Sequence, residues 1–185
     1  LGSAEWIRFY GLLFGREALA DSIFAEVEKN YNNLKALATS QAVKPRLMCE
    51  MKSGSAWYVS GGRSTTGKLY DDAGADYVFA SYPNAGGVPL SFETVFDKAQ
   101  DADVWLMKYN HPTDKTYQSL QEDYAPYANF KAFKDKNIYH CNTAYRPYYE
   151  DFPFHPDRVL KDLIKIFHPS LLPEYELKYF SKLAE

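Results

Sequence analysis

Apolar positions along the first forty or so residues recur at helical spacing. Trp6, Tyr10 and Leu13 open the stripe, and beyond Gly15 it resumes at Ala20, Ile23, Phe24, Val27, Tyr31, Leu34 and Ala38. Steps of three and four place these side chains on one helical face. The pattern predicts helix over residues 4–38, interrupted near Gly15. From Lys44 the period changes. Pro45 precedes the strand-like run Arg46-Leu47-Met48-Cys49-Glu50-Met51, and three more such runs cover residues 76–80, 103–107 and 137–141. The run Val104-Trp105-Leu106-Met107 is nearly continuous in its apolar character, as suits a strand covered on both faces of a parallel sheet.

Helical and turn signals separate these runs. A Gly/Ser-rich stretch over 53–67 contains Trp57-Tyr58-Val59, and a short helix is expected through 69–73. Residues 83–87 read as a turn. Ser91 is placed to cap a helix through Gln100, with Glu93 in its first turn. Polar helical segments are expected near 117–122 and 127–134. Val159, Leu160, Leu163, Ile164 and Phe167 share a face framed by Pro156 and Pro169. A last short helix is expected over 174–183.

Strands alternating with helices predict an α/β fold: a three-layer unit with a four- or five-stranded, mainly parallel sheet flanked by helices, preceded by a long helix. Residues 1–43 form the helical region and 44–185 the α/β unit. Ligands of such sheets bind beyond the carboxyl ends of the strands. That rule selects the loops 53–64, 82–90, 108–113 and 142–154. From these loops the expected ligand face is Trp57, Arg63, Ser64, Tyr109, Tyr145 and Arg146. The chain is rich in aromatics, with 16 Tyr, 12 Phe and 3 Trp, and these loops hold many of them. Arg63 and Arg146 are suited to clamp a carboxylate or stack on a ring.

Composition narrows the function. A 46% hydrophobic share suits a folded chain, and a net charge of −3 gives no basic footprint for nucleic acid. No stretch approaches the roughly 18 apolar residues of a membrane span. Cys49 and Cys141 lie in apolar runs and read as buried thiols. The segment Gly62-Arg63-Ser64-Thr65-Thr66-Gly67-Lys68 nearly spells a phosphate-binding loop, but Leu69 stands where a magnesium-binding hydroxyl belongs. The four His are unpaired at helical spacing, so neither a metal site nor a resident cofactor is expected. No nucleophile elbow occurs, and catalysis has no positive signal.

Several phrases occur together in a telling order. Ala4-Glu5-Trp6-Ile7-Arg8-Phe9 comes first, then Trp57-Tyr58-Val59-Ser60-Gly61-Gly62-Arg63-Ser64, then Asp72-Ala73-Gly74-Ala75-Asp76-Tyr77. Leu90-Ser91-Phe92-Glu93-Thr94-Val95 precedes Ala102-Asp103-Val104-Trp105-Leu106, and Pro156-Asp157-Arg158-Val159-Leu160-Lys161-Asp162-Leu163 precedes Phe167-His168-Pro169. This series resembles the class III substrate-binding proteins of ABC importers, across almost the whole chain. The resemblance implies two α/β lobes joined by a stiff helix, with 1–43 as the connecting region and 44–185 as the C-terminal lobe. On that basis the start at Leu1 reads as a cut end and the first lobe as absent. It further implies a monomeric, non-enzymatic protein, periplasmic or lipid-anchored. Such a protein captures an iron-siderophore, haem or corrinoid such as vitamin B12 and delivers it to a membrane permease. Glu93 falls at the family's permease-docking position. The alternatives are a metal-cofactor enzyme of related two-lobe architecture and a nucleotide-binding domain using residues 62–68.

Overall fold

The computed structural model describes residues 1–185. Two helices open the chain, α1 (Trp6–Leu13) and α2 (Glu17–Thr39). Gly15 separates them at a φ of +62°, a left-handed conformation that costs glycine little. The two helices cross closely at Gly11, where an added Cβ would come within 2.4 Å of the Ala20 side chain.

There follow β1 (Arg46–Cys49), a hairpin of β2 (Lys52–Ser53) and β3 (Ala56–Ser60), and α3 (Thr65–Asp72). Next come β4 (Asp76–Tyr77), β5 (Gly87–Leu90), α4 (Phe92–Ala99) and β6 (Val104–Tyr109). The second half holds α5 (Tyr117–Asp123), a 3-10 turn (Ala125–Asn129), α6 (Lys131–Lys134) and β7 (Ile138–Asn142). It ends with α7 (Tyr148–Asp151), α8 (Pro156–Phe167), another 3-10 turn (Pro169–Leu171) and β8 (Ser181–Lys182).

The main sheet runs β4-β1-β6-β7-β8. Its first four strands are parallel and β8 is antiparallel to β7. The expected α/β lobe with a five-stranded, mainly parallel sheet is therefore present. Leu47, Met48, Cys49, Trp105, Leu106 and Met107 are wholly buried, as central strands covered on both faces require. Helices α2, α3 and α8 pack together, with Val159, Leu160, Leu163 and Ile164 turned inward from α8. An aromatic cluster fills the other layer, where Trp105 meets Phe130 of the α6 region and Phe130 meets Phe92 and Phe96 of α4.

Two parts differ from the sequence-based expectation. Trp57-Tyr58-Val59 belongs to a second, three-stranded antiparallel sheet, β2-β3-β5, whose flanking Gly and Ser residues conceal it in the sequence. The expected helix over 174–183 does not form. Residues 178–179 form a bend, and the carboxylate of the wholly buried Asp162 accepts the amides of Lys178, Tyr179 and Phe180 at 2.7–3.0 Å. Those amides are thus committed to a side chain on α8, and the chain proceeds into β8.

Candidate functional site

A pocket of about 430 Å³ opens where the carboxyl ends of β1 and β6 meet the β2–β3 hairpin. Glu50 and Lys108 sit in it together with Tyr58, Tyr109 and Tyr149. Strand register explains the first pair. Cys49 lies beside Leu106 in the parallel ladder, so Glu50, one step past the end of β1, comes level with the Met107–Lys108 stretch of β6. The Lys108 ammonium pairs with Glu50 Oε1, and the Lys108 backbone N–H donates to Oε2 at 3.3 Å. The Glu50 carbonyl accepts the Trp105 indole N–H at 2.7 Å, and the Glu50 N–H donates to the Leu106 carbonyl at 2.7 Å. These bonds hold Glu50 at a φ of +63°, a left-handed conformation unusual for a side-chain-bearing residue. Burial disfavours the Lys108 charge, but the Glu50 carboxylate together with Tyr70, Tyr148 and Cys49 holds its pKa well above the usual lysine value.

Tyr109 is locked from below. Its hydroxyl accepts the Lys115 amide at 2.8 Å and bonds His140 Nδ1 at 2.6 Å, with the two rings stacked 5.7 Å apart. His140 Nε2 meets the Ser181 hydroxyl at 3.1 Å. With Nδ1 accepting from Tyr109, the neutral ring donates from Nε2. Burial raises the Tyr109 pKa to about 12 and lowers that of His140, against the opposing pull of Asp114. A folded-state pKa below the ordinary 6.5 means that the unfolded chain takes up this proton first. Stability is therefore expected to fall as pH drops below that value, by at most about 1.4 kcal/mol per pH unit. Thermal unfolding between pH 5 and 7 checks this, and His140→Gln should flatten the dependence.

Of the expected ligand face, only Tyr109 lines this pocket. Trp57 is corrected: it is 0% exposed, donates its indole N–H to the Cys49 carbonyl at 3.0 Å, and packs on Trp105 and Tyr127. In β3 the pleat turns Trp57 and Val59 inward and Tyr58, 54% exposed, outward. Ser64 is likewise corrected: it is buried as the cap of α3, accepting the Gly67 amide at 2.9 Å and donating to the Gly61 carbonyl at 2.6 Å. Arg63 is exposed in a separate recess of about 270 Å³ with Lys68, Asp72 and Phe152. Tyr145 bonds the Pro112 carbonyl with its ring 65% exposed, and Arg146 donates to the Lys178 carbonyl at 3.2 Å. Both lie past the end of β7, outside the pocket lining.

Tyr58, Lys108 and Tyr149 lie on the loops the sequence selects but outside the expected ligand face, and Glu50 lies outside those loops altogether. The available signal was a charged residue directly after each of two central apolar runs, Cys49-Glu50 and Met107-Lys108. Glu93 is exposed in the first turn of α4, where its own amide and the Ser91 hydroxyl hold its pKa below the usual value. The phosphate-loop alternative fails on geometry. The amides of Gly62, Arg63 and Ser64 donate to the carbonyls of Tyr82, Asn84 and Gly61, so no open cradle of N–H groups faces a phosphate. Cys49 and Cys141 are free, buried thiols, with pKa values pushed by burial to about 11 and about 12.

A mainly parallel sheet with a pocket at its carboxyl edge, preceded by a long helix, places that pocket where α/β folds hold ligands. The family of periplasmic binding proteins matches residues 1–145, and the chain belongs to it. A lipoprotein of Methanocaldococcus jannaschii is 27% identical over 98% of this chain, which spans 42% of that relative's length. The TroA-like periplasmic binding protein FepB of Veillonella parvula superposes with a TM-score of 0.74 over 98% of this chain and 61% of its own, at 15% identity. IsdE of S. aureus, complexed with haem, gives a TM-score of 0.65 over 90% of this chain and 64% of its own, at 18% identity. These neighbours are binding proteins.

Proposed function

We propose that this chain is the C-terminal lobe of a capture protein that holds a bulky metal chelate, such as an iron-siderophore or haem, and presents it to a membrane permease. The observation that carries this reading is the carboxyl-edge pocket, lined by Tyr58, Tyr109 and Tyr149 together with the Glu50–Lys108 ion pair. Flat aromatic walls with few placed charges suit a large, partly apolar chelate. The haem held by IsdE supports the ligand class, and the lipoprotein relative supports a place outside the cytoplasmic membrane. A corrinoid fits the same aromatic walls. In this reading residues 1–43 are the connecting region and 44–185 the lobe. Arg63, Tyr145 and Arg146 take roles at the rim, and the protein works as a monomer without catalysing a reaction.

Tyr58 and Tyr149 are half exposed or more, so each can be truncated at little cost to the fold. Replacing both by Ala is expected to weaken chelate binding by about 1–3 kcal/mol per residue, by analogy with interface aromatics. Calorimetry on the full-length protein with a ferric trihydroxamate, haemin, cobalamin and ATP reads this directly. Binding of ATP alone would overturn the proposal. Glu93→Lys is expected to leave chelate affinity unchanged and to slow uptake through the cognate permease, since charged rims mainly steer encounter. Wild-type uptake by the Lys variant would remove Glu93 from the docking role.

A further inference from the structure

We propose that Glu50 is a resident surrogate for a carboxylate of the ligand, which takes its place on Lys108 when the chelate binds. The inference rests on the capture reading above and names the chemistry of the captured solute. Four observations support it. Lys108 offers a carboxylate two donors at once, its ammonium to one oxygen and its backbone N–H to the other. That two-point arrangement is matched to a carboxylate and not to a lone oxyanion. Glu50 fills the arrangement from a left-handed backbone conformation, so the side chain now in place is held there against its own backbone preference.

The pair also lies in the pocket itself and not beneath it. Glu50 and Lys108 both line the cavity, whereas the Lys52 ammonium turns away from it to the Gly54 carbonyl and the Tyr124 ring. Once Glu50 leaves, the Lys108 ammonium is the unpaired charge of the cavity wall. Finally, the Lys108 side chain is walled in. Its ammonium lies 5.8 Å from the centre of the buried Tyr148 ring, and the Tyr70 hydroxyl, whose ionisation feels the Lys108 charge, is sealed without a hydrogen-bond partner. A lysine so enclosed requires an anion at all times, because an unpaired buried charge is costly. Glu50 supplies that anion in the free protein, and the ligand supplies it in the complex. The solute is therefore a chelate bearing a free carboxylate, from either a porphyrin propionate or a hydroxy-acid chelator.

The test has a part that needs no knowledge of the solute. Glu50→Gly relaxes the left-handed position and empties the carboxylate from the pair. Its melting temperature should rise with added sodium acetate and not with sodium chloride at equal ionic strength. The double variant Glu50→Gly with Lys108→Met should lose that response. In the second part, haemin is compared with its dimethyl ester, and ferric citrate with a ferric trihydroxamate, on the full-length protein. Glu50→Gln removes the competing charge and should tighten a carboxylate probe about tenfold, the scale of one close charge pair. Lys108→Met should abolish that binding, and it should weaken the carboxylate-free partner of each pair far less. Preference for haemin or for citrate identifies the source of the carboxylate.

No acetate response, with a trihydroxamate bound equally by wild type and Lys108→Met, overturns the surrogate and leaves chelate capture standing. An acetate response without binding of any chelate supports the carboxylate cradle and overturns chelate capture. Weaker binding of a carboxylate probe by Glu50→Gln shows Glu50 to be an ordinary structural partner and overturns the inference.

Discussion

Trp57→Ala is expected to cost the fold about 3–5 kcal/mol, the range for deleting a large buried aromatic. Trp57 has no exposed surface and packs its ring against Trp105, Tyr127 and Phe130 at 5.6–5.8 Å between centroids. It ties the small sheet to the large one, because its indole N–H reaches the last carbonyl of β1 from the middle of β3. Removal leaves a cavity and cancels that bond. For a chain of this size the loss lowers the melting temperature by on the order of 10 °C. Tyr58→Ala, one residue along and on the opposite face of the strand, should shift the melting point little. Calorimetric unfolding of the two variants checks the contrast. A Trp57→Ala protein with unchanged melting point would mean that the aromatic layer repacks or is not formed.

Asp162→Leu is expected to be nearly as severe, at about 3–4 kcal/mol. Asp162 is wholly buried in α8, and its carboxylate accepts three backbone amides and the Tyr175 hydroxyl, the last at 2.7 Å. Hydrogen bonds to a charged acceptor are each worth about 1.5–3 kcal/mol, and they do not add fully when the donors share one acceptor. Leucine fills the space and abandons the amides of Tyr179 and Phe180 in the interior. The bend at 178–180 should then loosen, while residues 181–184 keep their pairing to β7 and to Thr116 as the remaining anchor. Fast amide exchange at residues 178–180, with near-native protection of Leu47 and Leu106 in the central strands, is the expected signature. Asn at 162 keeps one acceptor and should recover part of the loss.

Glu93 lies at the start of α4 and is fully available to a partner. Glu50 is engaged by Lys108. Two carboxylates near strand and helix ends thus have different availability, and only structure distinguishes them.

The chain pattern by itself determined the fold class, because period and run length report local burial directly. The apolar runs at 46–49 and 104–107 have to be covered on both faces, and the stripe on α8 has to turn inward, whatever surrounds them. The break at Gly15 and the cap at Ser91 were legible for the same local reason: each is settled within a few residues by backbone freedom or a single hydrogen bond. Long-range geometry decided the rest. Trp57 stands in a strand hidden among glycine and serine residues, and only pairing with β5, some thirty residues away, sets the pleat that buries it and exposes Tyr58. Residues 174–183 carry enough apolar side chains for a helix, yet the Asp162 carboxylate claims their amides from another element. Glu50 and Lys108 lie 58 positions apart, and the parallel register of β1 with β6 alone makes them neighbours. Sequence spacing encodes which face a residue occupies; strand register, which couples distant segments through backbone hydrogen bonds, decides which charged groups meet at the end of the sheet.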